Sequence, residues 1–222
     1  MSPRFVDLSQ SIHDGMPGIR RRNADGTWRE DTVRLRVTGT RTESTAGFES
    51  TEIAHPTAIG TYIDAPYCRY AEKRDIAGLA LDEVILPGVV VDCRDVARER
   101  VAVEADRLPS ASLAGQAVLF NFGWDRHWGG ERYRSHPFIG QSVVDRLIAD
   151  RAGLYGVDTG NADSGLDPAS PVHSRLLAED ILICENLTGL GALLGRRFRF
   201  FAVPIKARGA TSMTIRAFAE LL

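Results

Sequence analysis

Lysine is nearly missing: Lys73 and Lys206 are the only two in 222 residues, so almost all of the 27 cationic side chains are arginines. A bias this uniform is compositional and marks no binding patch. The 27 cationic residues are offset by 29 acidic ones for a net charge of -2, which gives no general attraction to nucleic acid or to an anionic membrane. Apolar runs long enough to span a bilayer are also lacking, and Met1-Ser2-Pro3-Arg4 is not followed by the apolar stretch of a signal peptide. The sequence therefore predicts a cytoplasmic protein. Three cysteines, Cys68, Cys93 and Cys184, lie far apart in no paired spacing, which argues against a disulfide framework and a structural zinc knuckle. Internal repeats, low-complexity tracts and linkers are absent as well.

With a hydrophobic fraction of 44%, the chain can bury a substantial core. The reading is one domain over 1–222, with residues 1 to about 30 as a possible arm. Phe5 to Ser9 reads as a short strand, Gly15-Met16-Pro17-Gly18 as a turn, and Asp25-Gly26 as a loop or hairpin tip. Val33, Leu35 and Val37 alternate with Arg34, Arg36 and Thr38, predicting a strand with one wet face, and Thr42 to Ser50 is polar. Arg69 to Asp75 reads as a solvated surface segment. Continuous apolar strands are predicted at Val89 to Asp92, after a break at Pro87-Gly88, and at Ala117 to Phe120. Gln141 to Asp150 has helical spacing and precedes a strand at Leu154 to Asp158. Ile181 to Cys184 is a strand ending at Glu185, and Phe200 to Ile205 and Thr214 to Ala219 are strands joined by Lys206 to Ser212. Strand, helix and strand in succession favour an α/β layer arrangement.

The chain is organised around His55-Pro56-Thr57-Ala58-Ile59-Gly60-Thr61-Tyr62-Ile63-Asp64-Ala65-Pro66-Tyr67-Cys68. Gly60-Thr61 and Asp64-Ala65-Pro66 bend a strand-like run twice within a few residues, so the side chains between the bends converge. The stretch resembles the signature of the cyclase family, which includes bacterial kynurenine formamidase and isatin hydrolase: His-x-Gly-Thr-His-x-Asp-x-Pro-x-His. Gly60, Thr61, Asp64 and Pro66 are kept, whereas Ala58, Tyr62 and Cys68 stand where the three histidines belong. An Asp7-Leu8-Ser9 opening, Phe122-Gly123-Trp124 in place of a Thr-Gly-Trp motif, His173 before Leu176-Leu177, Glu185 at a strand end and the glycine-rich segment near Arg208-Gly209 extend the resemblance from Asp7 to Ala219.

That resemblance implies a swivelling β/β/α fold with a mixed sheet flanked by helices, a homodimer, and a site containing Asp64, His173 and Glu185. In the family the histidines and carboxylates hold one or two divalent cations that activate water against an amide or lactam carbonyl. With three imidazoles replaced, the expectation is a site without metal in which Asp64, His173, Glu185 and Tyr62 perform acid-base chemistry, such as cyclisation, dehydration or isomerisation of a small carbonyl compound. The alternatives are a zinc or manganese hydrolase, using at most Cys68, Asp64, His173 and Glu185 as ligands, and a protein that binds a small molecule or serves as a scaffold without catalysis. Tyr62 is expected to donate to a developing oxyanion. Trp124 and Trp128, with Cys68, are expected to line the substrate pocket, the two tryptophans being equally well read as core packing.

Overall fold

The computed structural model describes residues 4–22, 25–37 and 49–222. Thr38, Met1 to Pro3 and Thr42 to Phe48 of the segments read above lie outside the described residues. In chain order the regular elements are β1 (Phe5–Asp7), β2 (Pro17–Arg22), β3 (Trp28–Thr32), β4 (Arg34–Val37), β5 (Thr51–Ala54), β6 (Tyr62–Asp64), α1 (Leu81–Val84), β7 (Ile85–Asp92), β8 (Ala102–Val103), β9 (Ala117–Asn121), β10 (Phe138–Ile139), α2 (Gln141–Asp150), β11 (Leu154–Val157), α3 (Pro171–Ala178), β12 (Leu182–Glu185), β13 (Phe198–Phe201), β14 (Ser212–Thr214) and β15 (Phe218–Leu221).

Nine strands form one mixed sheet in the order β1-β15-β13-β7-β9-β11-β12-β6-β14. Its centre, β7, β9, β11 and β12, is parallel, and both flanks are antiparallel. The central strands Ala117 to Asn121 and Leu154 to Val157 are buried throughout, as continuous apolar runs in a covered parallel sheet require. On one face Val118, Phe120, Tyr155, Val157 and Ile183 pack against Val143, Val144 and Leu147 of α2 and Val172, Leu176 and Leu177 of α3. On the other, Ile63, Leu119, Leu154, Cys184, Phe198, Phe200 and Met213 share one core with Leu187, Leu190 and Leu193. Because strands from both ends of the sheet meet in that second core, the sheet is curled. The architecture is the α/β, mixed-sheet fold that the family signature implies, with its two longer helices on one face. No helix among the described residues is long and apolar enough to cross a membrane.

Local differences from the sequence reading have physical causes. Pro87-Gly88 does not break β7, because β9 pairs only from Gly88 onward, so the ladder is one-sided at Pro87 and a missing N–H is tolerated. Gly88 is needed there for room: a Cβ would lie 2.2 Å from the Phe198 ring on β13. Pro17-Gly18 opens β2 rather than completing a turn. The segment read as one strand from Thr214 to Ala219 is split, since β14 pairs with β6 at one end of the sheet and β15 with β13 and β1 at the other.

Candidate active site

β6 and β12 run antiparallel with Tyr62 opposite Glu185 and Asp64 opposite Ile183. Period-2 alternation then places Tyr62, Asp64 and Glu185 on the helix-covered face and Ile63 and Cys184 in the opposite core. The first expected bend is Gly60, whose φ of +59° is readily adopted by glycine. The second follows Asp64: Pro66 starts a single 3-10 turn, Pro66–Cys68, that doubles the chain back over the carboxylate. Asn186, directly after Glu185, locks the two strands at the first bend. It sits at φ 58°, its Nδ2 donates to the Gly60 carbonyl at 2.7 Å, and its own carbonyl accepts from Thr61 Oγ1 at 2.7 Å. Asparagine tolerates this left-handed conformation better than most residues.

His173 arrives from α3. Its Nε2 is 3.3 Å from Glu185 Oε1 and 3.8 Å from Asp64 Oδ2. Its Nδ1 is 2.6 Å from Asp163 Oδ2. Asp163 is a residue of the site that the sequence reading missed. Pro171 at the first helical position has no N–H to offer, and Asp163 accepts the next two helix N–H groups, from Val172 at 2.7 Å and His173 at 3.2 Å. One carboxylate therefore caps the helix and orients its imidazole.

Glu185 is 1% exposed and both of its oxygens are engaged. The Tyr62 hydroxyl donates to Oε2 and the Ala162 N–H donates to Oε1 at 2.5 Å. Burial pushes the Glu185 carboxyl up to about 7 against the opposing influence of His173. For His173, burial disfavours the charged ring, but Glu185, Asp163 and Asp64 together outweigh it and hold the imidazole well above its usual range. Burial and then the Glu185 charge raise the Tyr62 phenol, so it stays a proton donor. Asp64 is 4% exposed, and its Oδ2 is buried with no hydrogen-bond partner.

Asp64, His173, Glu185 and Tyr62 are thus brought together. Cys68 adjoins them at the exposed end of its turn. Although the residue is exposed, the atoms packed round its thiol, and after them the carboxylates of Asp64 and Glu185, push the thiol up to about 12. Trp124 is elsewhere: it is 1% exposed in the helix-side core, where its Nε1 donates to the Tyr133 carbonyl at 3.2 Å. Trp128 is half-buried, meets Tyr133 edge-on at 5.1 Å, and packs against the small cluster of Met16, Val33 and Ile59. Tyr133 connects this wall to the site by donating to Asn186 Oδ1 at 2.8 Å.

The donor set fits a divalent cation. One atom each from Asp64, His173 and Glu185 lies within 4.8 Å of the other two. The Asp163 carboxylate holds the Nδ1 proton and leaves Nε2 to face the two acidic side chains, the usual outer arrangement of a metal-binding histidine. The unpartnered Asp64 oxygen is the buried atom a cation would satisfy.

Comparison with known proteins agrees with this architecture. The family model described as "Putative cyclase" matches residues 6–164. An uncharacterized protein of Methanocaldococcus jannaschii is 30% identical over 120 residues, 53% of this chain and 59% of that protein, so the chain spans about three-fifths of this curated relative. Isatin hydrolase A from Ralstonia solanacearum superposes with a TM-score of 0.81 at 21% identity, covering 97% of this chain and 91% of that one. A structure described as a potential metal-dependent hydrolase with cyclase activity superposes with a TM-score of 0.73 at 19% identity, covering 97% and 96%. The expectation of a site without metal is corrected by these findings: a structural neighbour is described as metal-dependent, and Asp64, His173 and Glu185 form a group able to hold a cation despite the replacement of three signature imidazoles. From the family match over more than half its length, on the fold that the signature implies, the chain belongs to the cyclase family.

Proposed function

We propose that this protein is a divalent-cation-dependent hydrolase of a small amide, lactam or related carbonyl compound. The observation that carries the reading is His173 Nε2 facing Glu185 and the unpartnered Asp64 oxygen while Asp163 fixes the far side of the ring. Asp64, His173 and Glu185 would hold zinc or manganese, which supplies Lewis-acid polarisation and a more acidic water at neutral pH.

The chain's own groups provide the proton path. Glu185 would hold the cation through one oxygen and, as the new carbon–oxygen bond forms, take a proton from the attacking water. The Tyr62 hydroxyl, bonded to the other Glu185 oxygen, gives its proton to the leaving nitrogen as the carbon–nitrogen bond breaks, and regains one from Glu185. A water proton thereby ends on the leaving group. Turned from Glu185 toward the substrate before that transfer, the Tyr62 hydroxyl would polarise the carbonyl oxygen. The same relay suits cyclisation or dehydration, and uptake of labelled oxygen from water into product separates these reactions from hydrolysis.

The test is elemental analysis combined with assays on isatin and N-formyl arylamines. About one metal per chain, with turnover lost to chelator and restored by zinc or manganese, is expected. Stoichiometrically metal-free protein with full turnover overturns the reading. A homodimer in the cytoplasm and one domain over the whole chain remain part of this proposal, and light scattering that gives a monomer at micromolar concentration contradicts the dimer.

A further inference from the structure

We propose that Asn186 is a positioning residue of the cation centre: its hydrogen bonds close the strand end that carries Glu185 and Tyr62, and so set where the Glu185 carboxylate stands relative to Asp64 and His173. The inference deepens the cation-dependent reading above and rests on it.

The first support is the place of the site on the sheet. Tyr62 opposite Glu185 is the last register pair of β6 and β12, and the end of a ladder is where strands fray. One residue further on, the backbone groups turn to other partners. The Asn186 N–H donates to the Thr159 carbonyl at 2.9 Å, and the Thr61 carbonyl accepts from the Ile215 N–H at 3.0 Å. Side chains close the gap instead: Asn186 Nδ2 donates to the Gly60 carbonyl and Thr61 Oγ1 donates to the Asn186 carbonyl, each at 2.7 Å.

An independent support is what meets at this residue. Asn186 is 6% exposed, and its remaining polar atom, Oδ1, accepts from Tyr133 Oη at 2.8 Å. Gly60 and Thr61 lead into Tyr62 and Asp64. Thr159 opens the loop whose Ala162 N–H holds Glu185 and whose Asp163 orients His173. One buried side chain and its backbone thus tie together the segments that supply Tyr62, Asp64, Glu185 and Asp163.

The residue type fits that task. An amide carries a donor and an acceptor on one short side chain. The Gly60 carbonyl requires the donor, which leaves Oδ1 to accept from Tyr133. Asparagine also tolerates the φ of 58° found here. Glycine would keep this backbone and lose both side-chain bonds.

The experiment is calorimetric titration of chelator-treated protein with zinc, paired with denaturant melts. Asn186→Gly should weaken zinc binding by roughly 10–100-fold, the cost of losing an outer-shell partner. The control is Leu113→Ala, a buried core residue ahead of β9, at the end of the parallel strands away from Glu185. It should lower stability and leave zinc affinity unchanged. Equal weakening in both variants makes the role of Asn186 structural and overturns the proposal. Unchanged affinity in Asn186→Gly overturns it too, and leaves the three-residue centre standing. An unaltered protein that binds no zinc overturns the proposal and the cation-dependent reading together. Should Asn186→Gly not fold, Tyr133→Phe decides, because it removes only the donor to Oδ1. A loss of roughly 2–10-fold in zinc affinity, the size of one neutral hydrogen bond, is then expected, and unchanged affinity overturns the proposal.

Discussion

Two antiparallel strand pairs in this molecule have opposite fates. β4 and β5 pair Leu35 with Ile53 and Val37 with Thr51, yet Val37 is 60% and Ile53 51% exposed. β6 and β12 pair Tyr62 with Glu185 and are buried throughout, although they carry two carboxylates. Alternation alone defines two strand faces, and the surroundings decide which face is dry. At β6 and β12 burial is sustained because Glu185 has donors on both oxygens and α3 brings an imidazole over the face. Buried charges persist in proteins when they are paired or bound to metal.

The comparison can be broken hardest at its buried half. Glu185→Gln and Asp64→Asn should each lower turnover by on the order of a hundredfold or more, the scale of losing a general acid or base. Full activity in both variants would make the buried pair structural only. Asp163→Asn should weaken zinc binding by roughly 10–100-fold and lower stability by about 1–3 kcal/mol, because an amide NH2 would oppose donors now satisfied by a carboxylate. Calorimetric titration and denaturant melts measure the two effects, and unchanged zinc affinity would deny Asp163 its orienting role.

The next effect is a pH dependence outside the ligand set. Asp158 is buried, and burial pushes its carboxyl up to about 7 from the ordinary 3.8 even though Phe122 and Trp124 N–H groups donate to it. The folded protein therefore holds this proton when the unfolded chain has released it. Stability from Asp158 is complete below about pH 4 and is lost as pH rises through about 7, by at most on the order of 4 kcal/mol. Melts across that window should show the unaltered protein falling relative to Asp158→Asn, and parallel curves would contradict it. The smallest effect belongs to the exposed pair: Ile53→Thr should change stability by less than about 0.5 kcal/mol. A larger loss in the same melts would mean that something covers this hairpin in solution.

The centre of the fold was legible where sequence periodicity and covering agreed. Ala117 to Phe120, Leu154 to Val157 and the α2 stripe each carry a pattern that only a buried layer explains. Asp64, His173 and Glu185 were legible through the family positions, and the bends at Gly60 and Pro66 supplied the geometric reason for convergence. Asp163 was not, because its role depends on a loop returning to cap a helix ten residues later, and loop closure leaves no periodicity. The available clue was an acidic residue upstream of a proline-started helix. The loss of three signature imidazoles was overread, since it removes ligands without removing the carboxylates, His173 or the carboxylate behind it. Trp124 illustrates the other limit: a strand-end tryptophan reads equally as wall or core, and its Nε1 bond to Tyr133 decides where it lies here.

The split between β14 and β15 bears on how the protein is made. β14 borders the strand that carries Tyr62 and Asp64, while β15 lies between β13 and β1 and joins the opposite flank, with Arg216 paired to Asp7 and Glu220 to Arg4. These are the last of the nine strands to leave the ribosome. A nascent chain can assemble the parallel centre early, but the edge beside Asp64 and the partner of β1 stay vacant until residues 212–221 emerge. Completion of the edge beside Tyr62 and Asp64 is thereby coupled to the synthesis of this segment.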